Sequence, residues 1–230
     1  MKAFCINIDP TAPHYIALRD SFAEQVDPDL VRFERFSAST PPTVFQQMRE
    51  AEVAWTYPWE GSCDIEDPPL HLTAYVTKDR VARMACFMSH YRLWWRCLRD
   101  KDPVLILEDD ALFLRPFAPA PLLASPYSII GINDPRGATR LAHVYHLRVQ
   151  ASEAEICEVP RIDYPEIPQG LAGASAYLMK PEGADAAIKL VEKYGAWPND
   201  ALCCKQLMPG MLGQVKHYVT RVQGRRSSLA

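Results

Sequence analysis

The sequence contains one run, Val104-Leu-Ile-Leu-Glu108-Asp109-Asp110, in which four apolar residues lead directly into three acids. Apolar runs of this length are typical of strands that are buried on both faces of a parallel sheet. The acids then stand at the carboxyl end of the strand, which is where open α/β sheets bind their ligands. This run predicts an α/β protein with a functional site at one edge of its sheet.

The neighbouring segments fit the same architecture. Residues 2–8 form a short apolar run, residues 14–25 have helical spacing and residues 30–36 alternate, which together predict an opening βαβ unit. Residues 79–100 form a long amphipathic pattern that leads into the acidic strand. We therefore expect one domain over residues 1–230, with a Rossmann-type mixed sheet flanked by helices.

Further elements are expected along the rest of the chain. Residues 55–69 are expected to form a long surface loop and residues 116–126 a proline-rich crossover. Strands are expected at residues 127–132, 174–179 and 214–220, and a helix at residues 181–194. No internal repeat or low-complexity tract interrupts this order. All of these elements are therefore expected to contribute to one core.

The composition of the chain limits which binding partners and which cellular compartment are expected. The chain has 25 basic and 28 acidic side chains and a net charge of −3, which argues against nucleic acid as a partner. Its seven cysteines lack the spacing of a disulfide framework and favour a reducing compartment. No apolar run has the length of a membrane span or a secretory signal, so we expect a cytoplasmic protein. Peripheral attachment to a membrane through Arg221, Arg225 and Arg226 is the alternative.

The three acids Glu108, Asp109 and Asp110, here called the acidic triplet, have the chemistry of a metal site. Neighbouring carboxylates repel one another, and their removal from water is costly unless a cation neutralises them. Because side chains alternate along a strand, Glu108 and Asp110 should point to one side and Asp109 to the other. Carboxylate oxygens suit Mg²⁺ or Mn²⁺. The alternative is that the acids cap the next helix or lie solvated in a loop.

Motifs around the triplet resemble those of a known family. The helical segment Cys86-Phe-Met-Ser89-His90, followed by an apolar strand that ends in Glu-Asp-Asp, is similar to the signature of glycosyltransferase family 25, which includes lipooligosaccharide and collagen glycosyltransferases. Three further segments resemble other motifs of that family: Cys5-Ile-Asn7-Ile-Asp9, Gly173-Ala-Ser-Ala176-Tyr177-Leu-Met and Pro198-Asn-Asp200.

The resemblance implies a GT-A-like fold, a nucleotide-sugar donor, expected to be a UDP-sugar, and Mn²⁺ or Mg²⁺ held by Asp110 and Glu108. The acceptor is expected to be a hydroxyl group on a glycan, a lipid-linked glycan or another molecule. Residues 1–115 are expected to bind the donor and residues 116–230 the acceptor. The expected donor-binding residues are Asn7, Ile8, Asp9, Ser89, His90, Glu108, Asp109, Arg221 and Arg225.

The resemblance also implies inversion at the anomeric carbon, which needs a base for the acceptor hydroxyl. Asp200 is the candidate base, and a helix N-cap is its alternative role. His217 is a candidate further metal ligand. Two roles are open for His90, namely contact with the nucleotide or a buried hydrogen bond to the sheet. Ser89 and His90 point about 100° apart on a helix, which excludes a nucleophilic pair.

Two rival functions stay open. A metal-dependent nucleotidyltransferase or phosphohydrolase would use the same acids together with further carboxylates, for which Asp134 and Asp163 are available. A non-catalytic sugar-binding module of the same fold would hold a sugar without turnover. In any of these proteins, one exposed aromatic ring is expected to stack on a sugar or base. The candidates are Trp55, Tyr57, Trp59 and Trp197.

Overall fold

The computed structural model describes residues 1–137 and 141–224. The strands in these residues are β1 (Lys2–Asn7), β2 (Arg32–Ser37), β3 (Ser62–Ile65), β4 (Leu70–Thr73), β5 (Val104–Glu108), β6 (Ala111–Phe113), β7 (Ile129–Gly131), β8 (Ile156–Glu158), β9 (Ala176–Met179), β10 (Leu212–Val215) and β11 (Thr220–Val222). Seven of them form a central sheet in the order β2-β1-β5-β9-β7-β10-β8. β6 pairs with β11, and β3 pairs with β4, in two small ribbons.

Helices connect and cover these strands. They are α1 (Pro13–Gln25), α2 (Pro41–Glu50), α3 (Arg80–Asp100), α4 (Pro119–Ala124), α5 (Ala142–Gln150), α6 (Pro181–Tyr194) and α7 (Asn199–Leu202). α3 packs against both α2 and α6, and α1 packs against β6. The first residue of α1, α2, α4 and α6 is proline. At this position an N–H would make no hydrogen bond within the helix, so its absence in proline costs nothing.

The longest helix, α3, leads directly into the acidic strand. The side chain of Asp79 caps its first turn by accepting a hydrogen bond from Ala82 N at 2.9 Å. Lys101 ends the helix in the left-handed conformation. The chain then enters β5, whose residues Val104 to Leu107 are at most 3% exposed. Burial on both faces accounts for the unbroken apolar run in this strand.

The strand directions bring the polar ends of β1 and β5 together. β1 runs parallel to β2 and to β5, and β7 runs parallel to β10, whereas β9 is antiparallel to β5 and β7. The register pairs Ile6 with Glu108. Asn7 and the acidic triplet therefore emerge side by side at one edge of the sheet.

The mixed α/β sheet, the opening βαβ unit and the long helix that the sequence predicts are confirmed. The expected loop at residues 55–69 differs, because it includes β3, which forms a hairpin with β4. The expected strand at residues 214–220 is broken by a turn into β10 and β11, which belong to different sheets. α5 buries only Tyr145 and Val149, so its sequence carries a weak helical period.

Within residues 1–137 and 141–224, none of the helices combines the length and the apolar character that crossing a bilayer requires.

Candidate active site

The acidic triplet lies at the carboxyl end of β5, and Asp109 is held there by the neighbouring strands. Its Oδ2 accepts a hydrogen bond from Asn7 Nδ2 at 2.7 Å. Asn7 Oδ1 in turn accepts one from Arg35 Nε at 2.9 Å, and Arg35 Nη2 donates to the Ile8 carbonyl oxygen at 2.9 Å. The ends of β2, β1 and β5 are thus joined by one polar network.

The first turn of α1 brings a histidine to the same edge. His14 Nε2 lies 3.2 Å from Asp109 Oδ2, so a protonated His14 adds positive charge beside the triplet. Asp9 instead stabilises its own loop, since its Oδ1 accepts hydrogen bonds from Thr11 N at 2.8 Å and Thr11 Oγ1 at 2.6 Å. Ile8 is 65% exposed and leaves the strand end open to solvent.

Asp110 is the member of the triplet whose charge is least compensated. Its Oδ1 is buried and has no hydrogen-bond partner among the described residues. Burial, together with the charges of Glu108 and Asp109, raises the pKa of Asp110 from 3.8 to about 7. A buried, unpartnered carboxylate oxygen close to two further acids is the kind of oxygen ligand that a hard divalent cation takes. The residues present therefore fit Mn²⁺ or Mg²⁺.

Glu108 is held by a chain of buried side chains from α3 and β9. Its Oε1 lies 3.1 Å from His90 Nε2, and His90 Nδ1 lies 2.9 Å from the Tyr177 hydroxyl. Trp94 Nε1 donates to that hydroxyl at 2.9 Å. Because an indole only donates, the consistent arrangement has Trp94 donating to Tyr177, Tyr177 to His90 Nδ1, and His90 Nε2 to Glu108. His90 thus has the buried role, hydrogen-bonded to the sheet.

Cys86 completes a compact cluster with the same residues. Ligand atoms of Cys86, His90 and Glu108 lie within 4.8 Å of one another, and no other group of three or more metal-ligand side chains is so close in residues 1–137 and 141–224. Burial raises the pKa of the Cys86 thiol well above its usual range. The protonated thiol and the hydrogen bond from His90 to Glu108 make this cluster a structural support for Glu108.

The C-terminal part of the chain returns to the triplet. β11 runs antiparallel to β6, the strand that directly follows the triplet. Gln223 N donates to the Asp110 carbonyl oxygen at 2.9 Å, and Gln223 Nε2 donates to the His14 carbonyl oxygen at 2.9 Å. Gln223 therefore fastens the chain beyond β11 across the edge that carries the acids.

The other C-terminal candidates are placed differently. Arg221 lies on β11 with an exposed side chain, next to this edge. Arg225 and Arg226 lie outside the described residues. His217 lies in the turn between β10 and β11, where its Nε2 is 3.3 Å from Glu155 Oε2. The structure thus brings His217 to a partner near the edge strand β8 and not to the triplet.

Ser89, a predicted donor contact, is buried behind the site. Its Oγ accepts a hydrogen bond from Ser39 N at 2.9 Å and donates to the Ala85 carbonyl oxygen at 2.9 Å. Both partners are backbone groups, so Ser89 joins α3 to the loop after β2.

The aromatic candidates pack against other residues, and Tyr57 is only 4% exposed. Trp197 is 2% exposed, and its Nε1 donates to Thr56 Oγ1. Trp55 and Trp59 stack on each other with ring centroids 4.6 Å apart. Tyr57 is the candidate that lines a cavity.

Asp200 lies in the first turn of α7, and its backbone packs closely against Gly170. A Cβ at Gly170 would overlap the Asp200 carbonyl oxygen, so only glycine fits there. Burial raises the pKa of Asp200, the positive charge of Arg83 lowers it, and the charge of Glu108 raises it further. Arg83 Nε is itself buried with no partner among the described residues. Asp200 is thus electrostatically coupled to Glu108 and to a free guanidinium N–H.

A cavity of 640 Å³ opens beside Asp200, which is one of its lining residues. Its volume falls in the range of about 300–1,000 Å³ that small-molecule sites occupy. Residues of the β4 region, of α5 and of the segment 160–172 line it together with Asp200. Burial and the charge of Asp200 raise the pKa of Tyr75, which also lines the cavity. Asp200 therefore lines this cavity and is also electrostatically coupled to Glu108 of the triplet.

Several residues of this arrangement were not predicted as site residues from the sequence. They are His14, Arg35, Arg83, Cys86, Tyr177 and Gln223. Tyr177 and Cys86 belong to the sequence motifs quoted above, so these motifs could have identified them as site residues. The remaining four reach the site through the strand order and the chain return, which no local pattern encodes.

Comparison with known families agrees with this geometry. The family model described as glycosyltransferase family 25 (LPS biosynthesis protein) matches residues 71–203, more than half of the chain, including α3, the acidic triplet and Asp200. The chain belongs to glycosyltransferase family 25. The predicted family is confirmed, and the protein is a glycosyltransferase.

Solved glycosyltransferases align with the chain at low identity. Galactosyltransferase LgtC in complex with donor and acceptor sugar analogs aligns over 93% of this chain and 73% of its own, with 12% identity and a TM-score of 0.47. An active-site mutant of LgtC aligns over 93% and 72%, with 14% identity and a TM-score of 0.46. Mouse xyloside xylosyltransferase 1, in its apo form, aligns over 92% and 84%, with 8% identity and a TM-score of 0.45. No curated protein sequence matches the chain.

The carboxylates that a rival phosphohydrolase or nucleotidyltransferase would need do not join the triplet. Asp134 Oδ2 is bound by Arg136 Nη2 at 2.7 Å. Asp163 lines the cavity beside Asp200, and neither Asp134 nor Asp163 belongs to a close cluster of metal-ligand side chains among the described residues. The family match and this placement both favour the transferase over that rival.

Replacing Asp110 with Asn should stabilise the metal-free protein, and more at high pH. The raised pKa means that the folded chain keeps a proton that the unfolded chain loses between pH 3.8 and about 7, so wild-type stability falls as pH rises through that window. Asparagine removes this penalty, on the order of 2 kcal/mol or about 4–8 °C in Tm. The difference in Tm between Asp110→Asn and the wild type is measured by thermal unfolding in chelator at about pH 5 and about pH 8. An equal increase in Tm at both pH values would contradict the raised pKa of Asp110. Asp102→Asn, which changes an exposed acid, is the control.

Tyr177→Phe should cost about 1–3 kcal/mol of unfolding free energy, because it leaves Trp94 Nε1 and His90 Nδ1 buried without their shared partner. Urea unfolding measures this loss. Tyr164→Phe is the matched control, since Tyr164 is 71% exposed and its hydroxyl should contribute less than about 0.5 kcal/mol. Equal stability of the two variants would exclude the buried hydrogen-bond chain.

Proposed function

We propose that this glycosyltransferase is metal-dependent and inverting, and that it moves a sugar from a UDP-sugar to an acceptor hydroxyl. The observation that carries this proposal is the buried Oδ1 of Asp110, which has no partner in the described chain and whose carboxyl group feels the charges of Glu108 and Asp109. A carboxylate in that state favours a bound cation. Asp110 and Glu108 are the proposed ligands of Mn²⁺ or Mg²⁺.

The donor is proposed to lie against residues 1–115, over the edge formed by β1 and β5. Asn7 and Asp109 already form a hydrogen-bonded pair there, and the exposed loop at Ile8 and Asp9 borders it. Arg221 stands on the adjacent β11 ribbon, where a guanidinium reaches phosphate oxygens. A bound divalent ion would neutralise the diphosphate and make the nucleoside diphosphate a better leaving group.

The acceptor is proposed to approach from the side of residues 116–230, with Asp200 as the base. Asp200 takes the proton of the acceptor hydroxyl while that oxygen bonds to the anomeric carbon, and the nucleoside diphosphate leaves with the bonding pair. One such displacement inverts the anomeric centre. Burial of Asp200 raises its pKa, which makes the carboxylate a stronger base near neutral pH. A glycan, a lipid-linked glycan or another hydroxyl compound fits this chemistry.

Calorimetric titration with UDP tests the donor site. Binding should require Mn²⁺, and Asp110→Ala should weaken it at least about tenfold, because the ion loses a charged oxygen ligand. The matched control is Asp102→Ala, which removes an exposed acid at the opposite end of β5. Equal binding of UDP in the presence of chelator and of Mn²⁺ would contradict metal dependence. Equal binding by the two variants in Mn²⁺ would remove Asp110 from the site.

Asp200→Asn tests the base. Sugar transfer should fall by about 10²–10⁴-fold with unchanged UDP affinity, because the variant loses proton abstraction and keeps the donor edge. The wild-type rate should rise with pH as Asp200 loses its proton, and this acidic limb should vanish from the residual rate of the variant. Asp185→Asn, on the exposed part of α6, is the control. A variant that keeps both the wild-type rate and its acidic limb would exclude Asp200 as the base.

A further inference from the structure

The hairpin of β3 and β4 forms part of the wall of the cavity beside Asp200. His71 and Thr73 of β4 line this cavity. Because side chains alternate along a strand, these two residues point to the same face of the hairpin. The register pairs Asp64 of β3 directly with His71, so the Asp64 side chain lies on that face as well. A histidine and a carboxylate therefore stand side by side at the cavity wall.

The contact between these two side chains decides which nitrogen of His71 is available to a ligand. His71 Nδ1 lies 2.7 Å from Asp64 Oδ1. An ionised carboxylate only accepts hydrogen bonds, so Nδ1 carries the proton and, in the neutral imidazole, Nε2 keeps a free lone pair. No group of residues 1–137 and 141–224 forms a hydrogen bond with Nε2. The His71 side chain is 39% exposed, so a ligand can reach this nitrogen.

Backbone hydrogen bonds hold β4 in place beside the cavity. His71 N donates to the Glu166 carbonyl oxygen at 2.8 Å, which joins the strand to the segment 160–172. The hydroxyl of the buried Tyr57 donates to the Thr73 carbonyl oxygen at 2.8 Å, which joins the strand to the core. A side chain on a strand that is fixed in this way can hold a ligand group precisely. The His71 imidazole is thus positioned by both its backbone and Asp64.

We propose that His71 binds a hydroxyl group of the acceptor, that Asp64 orients His71, and that the acceptor therefore carries at least two hydroxyl groups, as a sugar does. The inference rests on the proposed function, because Asp200 must take the proton of the reacting hydroxyl. His71 and Asp200 line the same cavity, so an acceptor held there presents one hydroxyl to each of them. The second hydroxyl donates to His71 Nε2. His71 is then a specificity residue, and Asp64 is a positioning residue.

Deletion of single hydroxyl groups from a model acceptor tests the role of His71. The probe is 4-nitrophenyl glucoside, compared by calorimetry with its monodeoxy analogues in the presence of UDP and Mn²⁺. In the wild type, loss of the hydroxyl that meets His71 should weaken binding about 2–10-fold. His71→Phe should weaken glucoside binding to the same extent and should bind that analogue no worse, because the hydrogen bond is already lost. Losses that multiply at every position would overturn the proposal, and so would a glucoside that does not bind.

A second variant changes the orientation of His71 and keeps its ring. Asp64→Ala removes the carboxylate beside Nδ1, and the fold should tolerate it because the Asp64 side chain is 77% exposed. In alkaline buffer, NMR of the imidazole nitrogens should find the His71 proton on Nδ1 in the wild type and partly on Nε2 in Asp64→Ala. This variant should also bind the glucoside more weakly. A wild-type proton on Nε2 would contradict the accepting role.

His217→Phe is the matched control. His217 also lies beside a carboxylate, with its Nε2 3.3 Å from Glu155 Oε2, but it does not line the cavity. Glucoside affinity should therefore stay at the wild-type value, and a loss equal to that of His71→Phe would overturn the assignment to the cavity. Absence of UDP binding in Mn²⁺ would instead refute the proposed donor chemistry, and the glucoside titrations would then be compared without UDP.

Discussion

Mutual repulsion among three carboxylates at the end of one buried strand is the constraint on which the site depends. The three acids differ in the groups that offset this repulsion. Asp109 is compensated by Asn7 and His14, and Glu108 is held through His90. Within residues 1–137 and 141–224, the buried Oδ1 of Asp110 has no hydrogen-bond partner, so its charge is the part of the repulsion that the described side chains offset least.

The sequence allowed the acidic strand, the helix before it and the first βαβ unit to be predicted, because each carries a strong local period or an unbroken apolar run. It also placed the triplet at the sheet edge. The partners of the acids could not be predicted in the same way. Tyr177 meets His90 because β9 inserts antiparallel beside β5, and Gln223 meets Asp110 because β11 returns to β6. Such contacts depend on strand order, which local patterns do not contain.

Asp200 connects two parts of the candidate active site. Burial raises the pKa of its carboxyl group, the positive charge of Arg83 lowers it, and the charge of Glu108 raises it further. The same residue lines the 640 Å³ cavity, together with residues of the β4 region, of α5 and of the segment 160–172. A change in the charge of Asp200 therefore acts on Glu108 and on the cavity together.

The hydrogen bond from Gln223 to Asp110 also has a consequence for biosynthesis. During translation, β5 and the triplet leave the ribosome long before β11 exists. At about 5–20 residues per second, the interval between the two is on the order of ten seconds. The hydrogen bonds that Gln223 donates to the carbonyl oxygens of Asp110 and His14 can therefore form only after residue 223 has been synthesised. Until then, the segment that follows β11 does not cross the acidic edge of the sheet.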